Sequence, residues 1–338
     1  MRIAVIGAGA MGSVFGAKLQ APGVEVVLHD INAQHIEAIR KSGLILGDGS
    51  GERVVRIAAT ADIGEVRDAD LALVVVDSNA TAAVAPLLPE VLARDGMALT
   101  LQNGIGNVEA LVAALGPVRV VAGATFNSAA FVTPGRVRHT NVGPTVIGLC
   151  AGPPTDRVRA LARQLTAVGF PTETSDNAMG HVWSKFVLNC AINPVTALTG
   201  LRAGEVMRHA PTAQLLESLL DEILAVATAK GIRLPDPDLR RHVLDHAFER
   251  YNRPSMLQHV ESGRRTEIEA LNGALVREAK ALGVPVPRNE TIWAAVSGID
   301  ARHARERVSP DLDEAALEEQ ARREAATRSA ASTKTRVS

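Results

Sequence analysis

The opening stretch Met1-Arg-Ile-Ala-Val-Ile-Gly-Ala-Gly-Ala-Met-Gly12 constrains the fold of this chain more than any other. Residues 3–6 are an apolar run of the length of a buried parallel strand, and residues 13–19 continue as an amphipathic helix. Between them lie Gly7, Ala8, Gly9, Ala10, Met11 and Gly12, a Gly-x-Gly-x-x-Gly turn. Strand, glycine turn and helix in that order make a dinucleotide-binding unit. Gly7 permits the tight turn, Gly9 lets the backbone approach a pyrophosphate, and Gly12 lets the helix pack on the strand. The helix start then offers unpaired N–H groups and a partial positive charge to phosphates.

The rest of the first half repeats that logic. Strand patterns at residues 25–29, 71–76, 97–101 and 119–123 alternate with helix patterns at 32–41, 79–93 and 107–115, with Asn32 as an N-cap. This predicts a doubly wound parallel sheet of Rossmann type, an α/β unit. Further strands are expected at 136–139, 145–149 and 171–174, and a helix at 156–168. From about residue 175 the apolar spacing turns helical, over 182–198, 215–229, 239–248 and 267–281, which predicts an all-α C-terminal part. The expected domains are therefore 1–175 and 176–305, followed by a charged tail over 306–338 that lacks core-forming residues and should fray.

Composition excludes several classes. A length of 338 residues suits two domains, and a net charge of −1 supplies no basic field for nucleic acid or a membrane surface. Aromatic residues are 3% of the chain, too few for base-stacking platforms. Cys150 and Cys190 cannot build a disulfide framework and fit a reducing compartment. The apolar opening is too short for a bilayer span and lacks the parts of a signal peptide, so a cytoplasmic location is expected. No metal site is expected.

Three segments carry candidate chemistry. Leu101-Gln-Asn-Gly-Ile-Gly106 follows a predicted sheet strand, where Asn103 either contacts a ligand or simply makes a turn. In Trp183-Ser-Lys-Phe-Val-Leu-Asn-Cys-Ala-Ile-Asn-Pro194, Lys185, Asn189 and Asn193 fall on one face of an otherwise apolar helix. A lysine there must be paired or face a cleft, and burial would lower its pKa toward proton-transfer range. The stripe favours function over a snorkelling surface lysine. In the segment over 253–273, Thr266 can cap a helix with Glu267 and Glu269 in its first turn, and Ser255 can be a cap or a site residue.

Taken together, the glycine fingerprint, the Gln-Asn-Gly-x-Gly loop, the Lys185…Asn189…Asn193-Pro194 helix and the Ser255-Met256…Gly263-Arg-Arg-Thr-Glu-Ile268 segment resemble the ketopantoate reductase family. The resemblance runs from Met1 to about residue 300, and its last three motifs are specific as a set. It implies an active site in a cleft between a Rossmann domain and a helical domain, and hydride transfer from a nicotinamide to the keto carbon of a small 2-oxoacid. By position it implies Lys185 as general acid and Glu267 as a carboxylate that orients the substrate. Asn103, Asn189, Asn193 and Ser255 would line the cofactor and substrate site. A homodimer is left open.

Two features depart from the family pattern. Relatives often carry a basic residue after the second strand and a lysine after the next central strand, where this chain has Asp30 and Asp77. A carboxylate at Asp30 suits the ribose hydroxyls of NAD and repels a 2′-phosphate, so NAD(H) is expected over NADP(H). His29 and Arg40 are the candidates that would offset it. Where relatives have Gln-Asp, this chain has Gln258-His259, which admits a different 2-oxoacid or 2-hydroxyacid as substrate. Outside this family, a 3-hydroxyacid dehydrogenase or a non-catalytic dinucleotide-sensing regulator would share the first domain. Lys185 with Thr266-Glu267-Ile268 speaks against both.

Overall fold

The computed structural model describes residues 1–308 and 313–335. Its first strands are β1 (Arg2–Ile6), β2 (Glu25–His29), β3 (Leu44–Asp48), β4 (Gly51–Val55), β5 (Ala58–Thr60) and β6 (Ala69–Val74). Then come β7 (Leu92–Thr100), β8 (Val120–Thr125), β9 (Ser128–Thr133), β10 (Arg136–Asn141), β11 (Thr145–Leu149) and β12 (Thr172–Thr174). β1 is buried from Ile3 to Ile6 because it is central to the main sheet, whose order is β12-β11-β8-β7-β6-β1-β2-β5. From β5 to β8 the pairing is parallel throughout, and β11 joins β8 antiparallel. The order reverses at β1 and β6, the point beyond whose C-terminal ends such a sheet binds ligands.

A second sheet, β4-β3-β10-β9, was not foreseen as a unit. Its edge strand β4 is exposed over Gly51–Val54, so it lacks the half-buried alternation that marks a strand. The helix Ala10–Leu19 lies between the two sheets and is buried over most of its length, with Phe15 stacked on Phe170 at 4.1 Å. The helix expected over 79–93 is instead a chain of short turns, Ser78–Ala80, Thr81–Val84, Ala85–Leu87 and Leu88–Val91. Pro86 and Pro89 account for the breaks, since each removes an N–H and crowds the turn before it.

From Ala178 the described chain is helical. The helix Ala178–Thr199 runs through the core of this part, against Ala210–Ala229, Ser255–Glu261 and Pro287–Val308. Trp183, Phe186, Leu219, Leu220, Ile223, Leu271 and Leu275 are buried there. Pro194 sits inside the long helix and cannot donate to the Cys190 carbonyl one turn back. Asn272 Nδ2 takes that place at 3.1 Å and also donates to Asn289 Oδ1 at 3.0 Å. Asn289 in turn donates to Leu219 O and Glu222 Oε2, so one buried polar chain ties four helical segments.

The expected helix over 267–281 begins as a π turn, Glu269–Gly273, and becomes α-helical over Ala274–Leu282. In the region expected to fray, Glu314–Thr335 is a helix, exposed over residues 314–325 and carrying the i,i+4 pair Arg322–Glu318 at 3.3 Å. Residues 309–312 and 336–338 of that tail lie outside the described residues. Among the described residues no helix is long and apolar enough to cross a membrane.

Candidate active site

The glycine turn stands at the C-terminal end of β1. Gly7 adopts φ +97°, and a Cβ there would lie 2.5 Å from Val76 N, so only glycine fits between β1 and the end of β6. A Cβ on Gly12 would lie 2.0 Å from Gly7 O. Gly9 faces open space and provides no side-chain cap, and the first bond of the helix is Ser13 N–H to Gly9 O. The N–H groups of Gly9, Ala10, Met11 and Gly12 therefore have no protein partner among the described residues. That cradle fits a pyrophosphate.

Asp30 follows β2 and is part-exposed, with Oδ1 accepting from Asn32 N–H at 2.8 Å. The cations that would offset it are engaged or neutral. Arg40 Nε donates to Ala59 O at 2.6 Å and its Nη2 lies 3.5 Å from Glu65 Oε2. Burial lowers the His29 pKa, with Asp30 opposing, so the ring favours its neutral form.

The Asn103 loop follows β7 and is held from below. Asn103 O accepts from Ser78 Oγ at 2.7 Å and from Asn107 Nδ2 at 2.9 Å. Gly104, at φ +85°, lets the loop press on the π turn, since a Cβ would lie 2.4 Å from Ala270 O. Asn103 Nδ2 consequently reaches Glu267 Oε2 at 3.0 Å, joining the sheet part to the helical part. Burial raises the Glu267 pKa; the Asn103 hydrogen bond and Lys185 oppose it, and Asp77 adds to it.

Lys185 is part-buried on the long helix. Its Nζ donates to Thr125 O at 2.7 Å and lies 5.9 Å from the centre of the Phe126 ring. Burial lowers its pKa to about 8, against the pull of Glu267. Lys185 and Glu267 thus sense each other without a direct hydrogen bond. Asn189 and Asn193 are buried on the same helix with no side-chain hydrogen bond among the described residues, and Ser255 opens the helix Ser255–Glu261. No direct bond joins those three to Lys185, Asn103 or Glu267 among the described residues.

Sequence reasoning missed the Thr125 carbonyl, which no residue type encodes, and Phe126, a residue 43% exposed with its ring beside the ammonium. The backbone of Phe126 is clamped, its N–H on Pro144 O at 2.9 Å and its carbonyl on Asn141 Nδ2 at 3.0 Å. A groove of about 960 Å³ lies elsewhere, at the N-terminal ends of β1 and β2. Among its cations, Arg2 faces Glu25, while Lys18 and Arg53 face Asp48. Among the described residues no group of three His, Cys, Asp or Glu side chains is placed to hold a metal.

Comparison with known proteins gives a consistent result. Residues 3–152 match the family model "Ketopantoate reductase PanE/ApbA" and residues 177–300 match "Ketopantoate reductase PanE/ApbA C terminal". The 2-dehydropantoate 2-reductase of Halobacterium salinarum is 34% identical over 294 residues, covering 86% of this chain and 96% of the relative. That of Archaeoglobus fulgidus is 32% identical over 300 residues, covering 89% and 98%. Among solved structures, a PanE/ApbA family ketopantoate reductase from Ralstonia eutropha superposes with TM-score 0.83 at 36% identity, covering 90% of this chain and all (100%) of that one. D-mandelate dehydrogenase with NADH and anilino(oxo)acetate superposes with TM-score 0.82 at 25% identity, covering 90% and 100%.

Proposed function

This chain belongs to the ketopantoate reductase family, and from that premise we propose that it reduces a 2-oxoacid to the 2-hydroxyacid, with Lys185 as general acid. The observation that carries the reading is the part-buried Lys185 ammonium held on Thr125 O, with a pKa brought down to about 8 and Glu267 close enough to modulate it. At neutral pH such a lysine is still mostly protonated, yet it gives up its proton far more readily than a surface lysine.

When bound, a nicotinamide dinucleotide would supply the hydride for the keto carbon. The free N–H groups from Gly9 to Gly12 would hold its pyrophosphate, with Gly7 and Ala8 shaping the turn. As charge develops on the substrate oxygen, the Lys185 Nζ stabilises it and then protonates it. Thr125 O fixes the Nζ position, so little reorganisation is needed at that moment. Glu267, steadied by Asn103, would orient the substrate. The side chains of Asn189 and Asn193 have no hydrogen-bond partner among the described residues, which supports a polar ligand as theirs. Ser255 completes the proposed lining.

Asp30 and the engaged Arg40 support NAD(H) over NADP(H). The exposed Phe126 ring beside Lys185 favours a second reading within the same chemistry, a 2-oxoacid with a bulky apolar group in place of ketopantoate. A panel of 2-oxoacids that includes ketopantoate, pyruvate and phenylglyoxylate, assayed with NADH and NADPH, tests all of this. Turnover of at least one 2-oxoacid is expected, and none at all would reject the proposal.

A further inference from the structure

Behind the glycine turn runs a chain of three buried hydrogen bonds that the proposed reaction does not use. It starts at the β9–β10 hairpin, where Gly135 N–H donates to His35 Nδ1 at 2.9 Å. It continues from His35 Nε2 to Ser13 Oγ at 3.1 Å and ends with Ser13 Oγ–H donating to Ala8 O at 2.7 Å. Ser13 and His35 are both fully buried. The direction is fixed at every joint. A backbone N–H can only donate, so Nδ1 must be the bare nitrogen of a neutral ring. The ring's one proton is then on Nε2 and points at Ser13, whose own proton goes to Ala8 O. Burial lowers the His35 pKa, with Asp30 opposing, which favours the neutral ring the chain requires.

The far end of the chain is the Ala8–Gly9 peptide. In a trans peptide the N–H lies opposite the C=O. Holding Ala8 O inward on Ser13 therefore turns the Gly9 N–H the opposite way, away from Ser13, at a residue whose Cβ position is itself open. Ala8 N–H is pinned separately on His29 O at 2.9 Å. We infer that Ser13 and His35 are positioning residues that set the glycine turn for the dinucleotide pyrophosphate, with the second sheet as their anchor. The inference rests on the reading of that turn as the cofactor site.

Fluorescence titration with NADH and with NADPH tests it directly. Ser13→Ala removes the last bond without adding bulk and should weaken binding of the preferred dinucleotide about 3- to 10-fold. Turnover at saturating cofactor and KM for the 2-oxoacid should stay within about twofold, a split that general loosening of the fold would not give. Because His35 acts through Ser13, Ser13→Ala combined with His35→Leu should bind NADH no worse than the weaker single variant. If His35→Leu fails to fold, ¹⁵N NMR of the labelled wild type still decides, with the His35 proton expected on Nε2. Unchanged affinity in folded Ser13→Ala, additive losses, or a proton on Nδ1 would overturn the inference. Failure of the wild type to bind either dinucleotide would instead refute the cofactor site itself, and the inference with it.

Discussion

At the scale of single residues the proposed chemistry turns on the protonation of Lys185. A general acid works only while protonated, so kcat/KM for reduction should be level at neutral pH and fall as pH rises through about 8. The sign of the Glu267 effect is also fixed. Its carboxylate raises the Lys185 pKa, so Glu267→Gln should move the alkaline limb to lower pH while disturbing KM and kcat together. A pH–rate profile of both proteins checks the shift, and an upward movement would contradict it. Lys185 was legible in the sequence because an ammonium amid apolar helix neighbours needs a reason. Its hydrogen-bond partner was not, since the Thr125 carbonyl is backbone and carries no residue signature. Glu267 was ambiguous, because a first-turn acid has a sufficient account in the helix dipole alone. Its burial and its bond to Asn103 exist only once both parts of the chain are folded.

At the scale of elements, the long helix Ala178–Thr199 shows how a defect becomes a joint. Pro194 leaves the Cys190 carbonyl unpaired inside the core, and Asn272 repairs it from another helix. Asn272→Ala should cost about 1–3 kcal/mol, the range for stranding buried polar groups. Urea denaturation measures this, and a loss near zero would mean that the helix closes its own gap. The helices of the second half were readable because apolar residues recur at helical spacing over many turns. Of the second sheet only β10 was readable, because β4 is exposed and β9 pairs with β10 through register shifts, so neither β4 nor β9 shows clean alternation. The broken segment after β6 misled for a different reason. Its apolar spacing is helical, but Pro86 and Pro89 override it.

At the scale of the whole molecule, the sheet order places four features at one edge. The ends of β1, β2 and β6 carry the glycine turn, Asp30 and Asp77, and the Asn103 loop after β7 meets the π turn of the helical part. The net charge of −1 supplies no basic field at long range, so dinucleotide choice rests on local groups. Asp30→Asn should therefore narrow the proposed preference for NADH over NADPH, read as the ratio of their kcat/KM values; an unchanged ratio would place Asp30 outside that choice. The central claim is that these parts assemble a 2-oxoacid reductase whose proton comes from Lys185. Its most direct test is NADH oxidation by a 2-oxoacid in the wild type and in Lys185→Ala, at saturating cofactor. The expected result is a loss of about 10²–10⁴-fold in turnover with NADH affinity unchanged. A folded Lys185→Ala protein that turns over at nearly the wild-type rate would contradict the account.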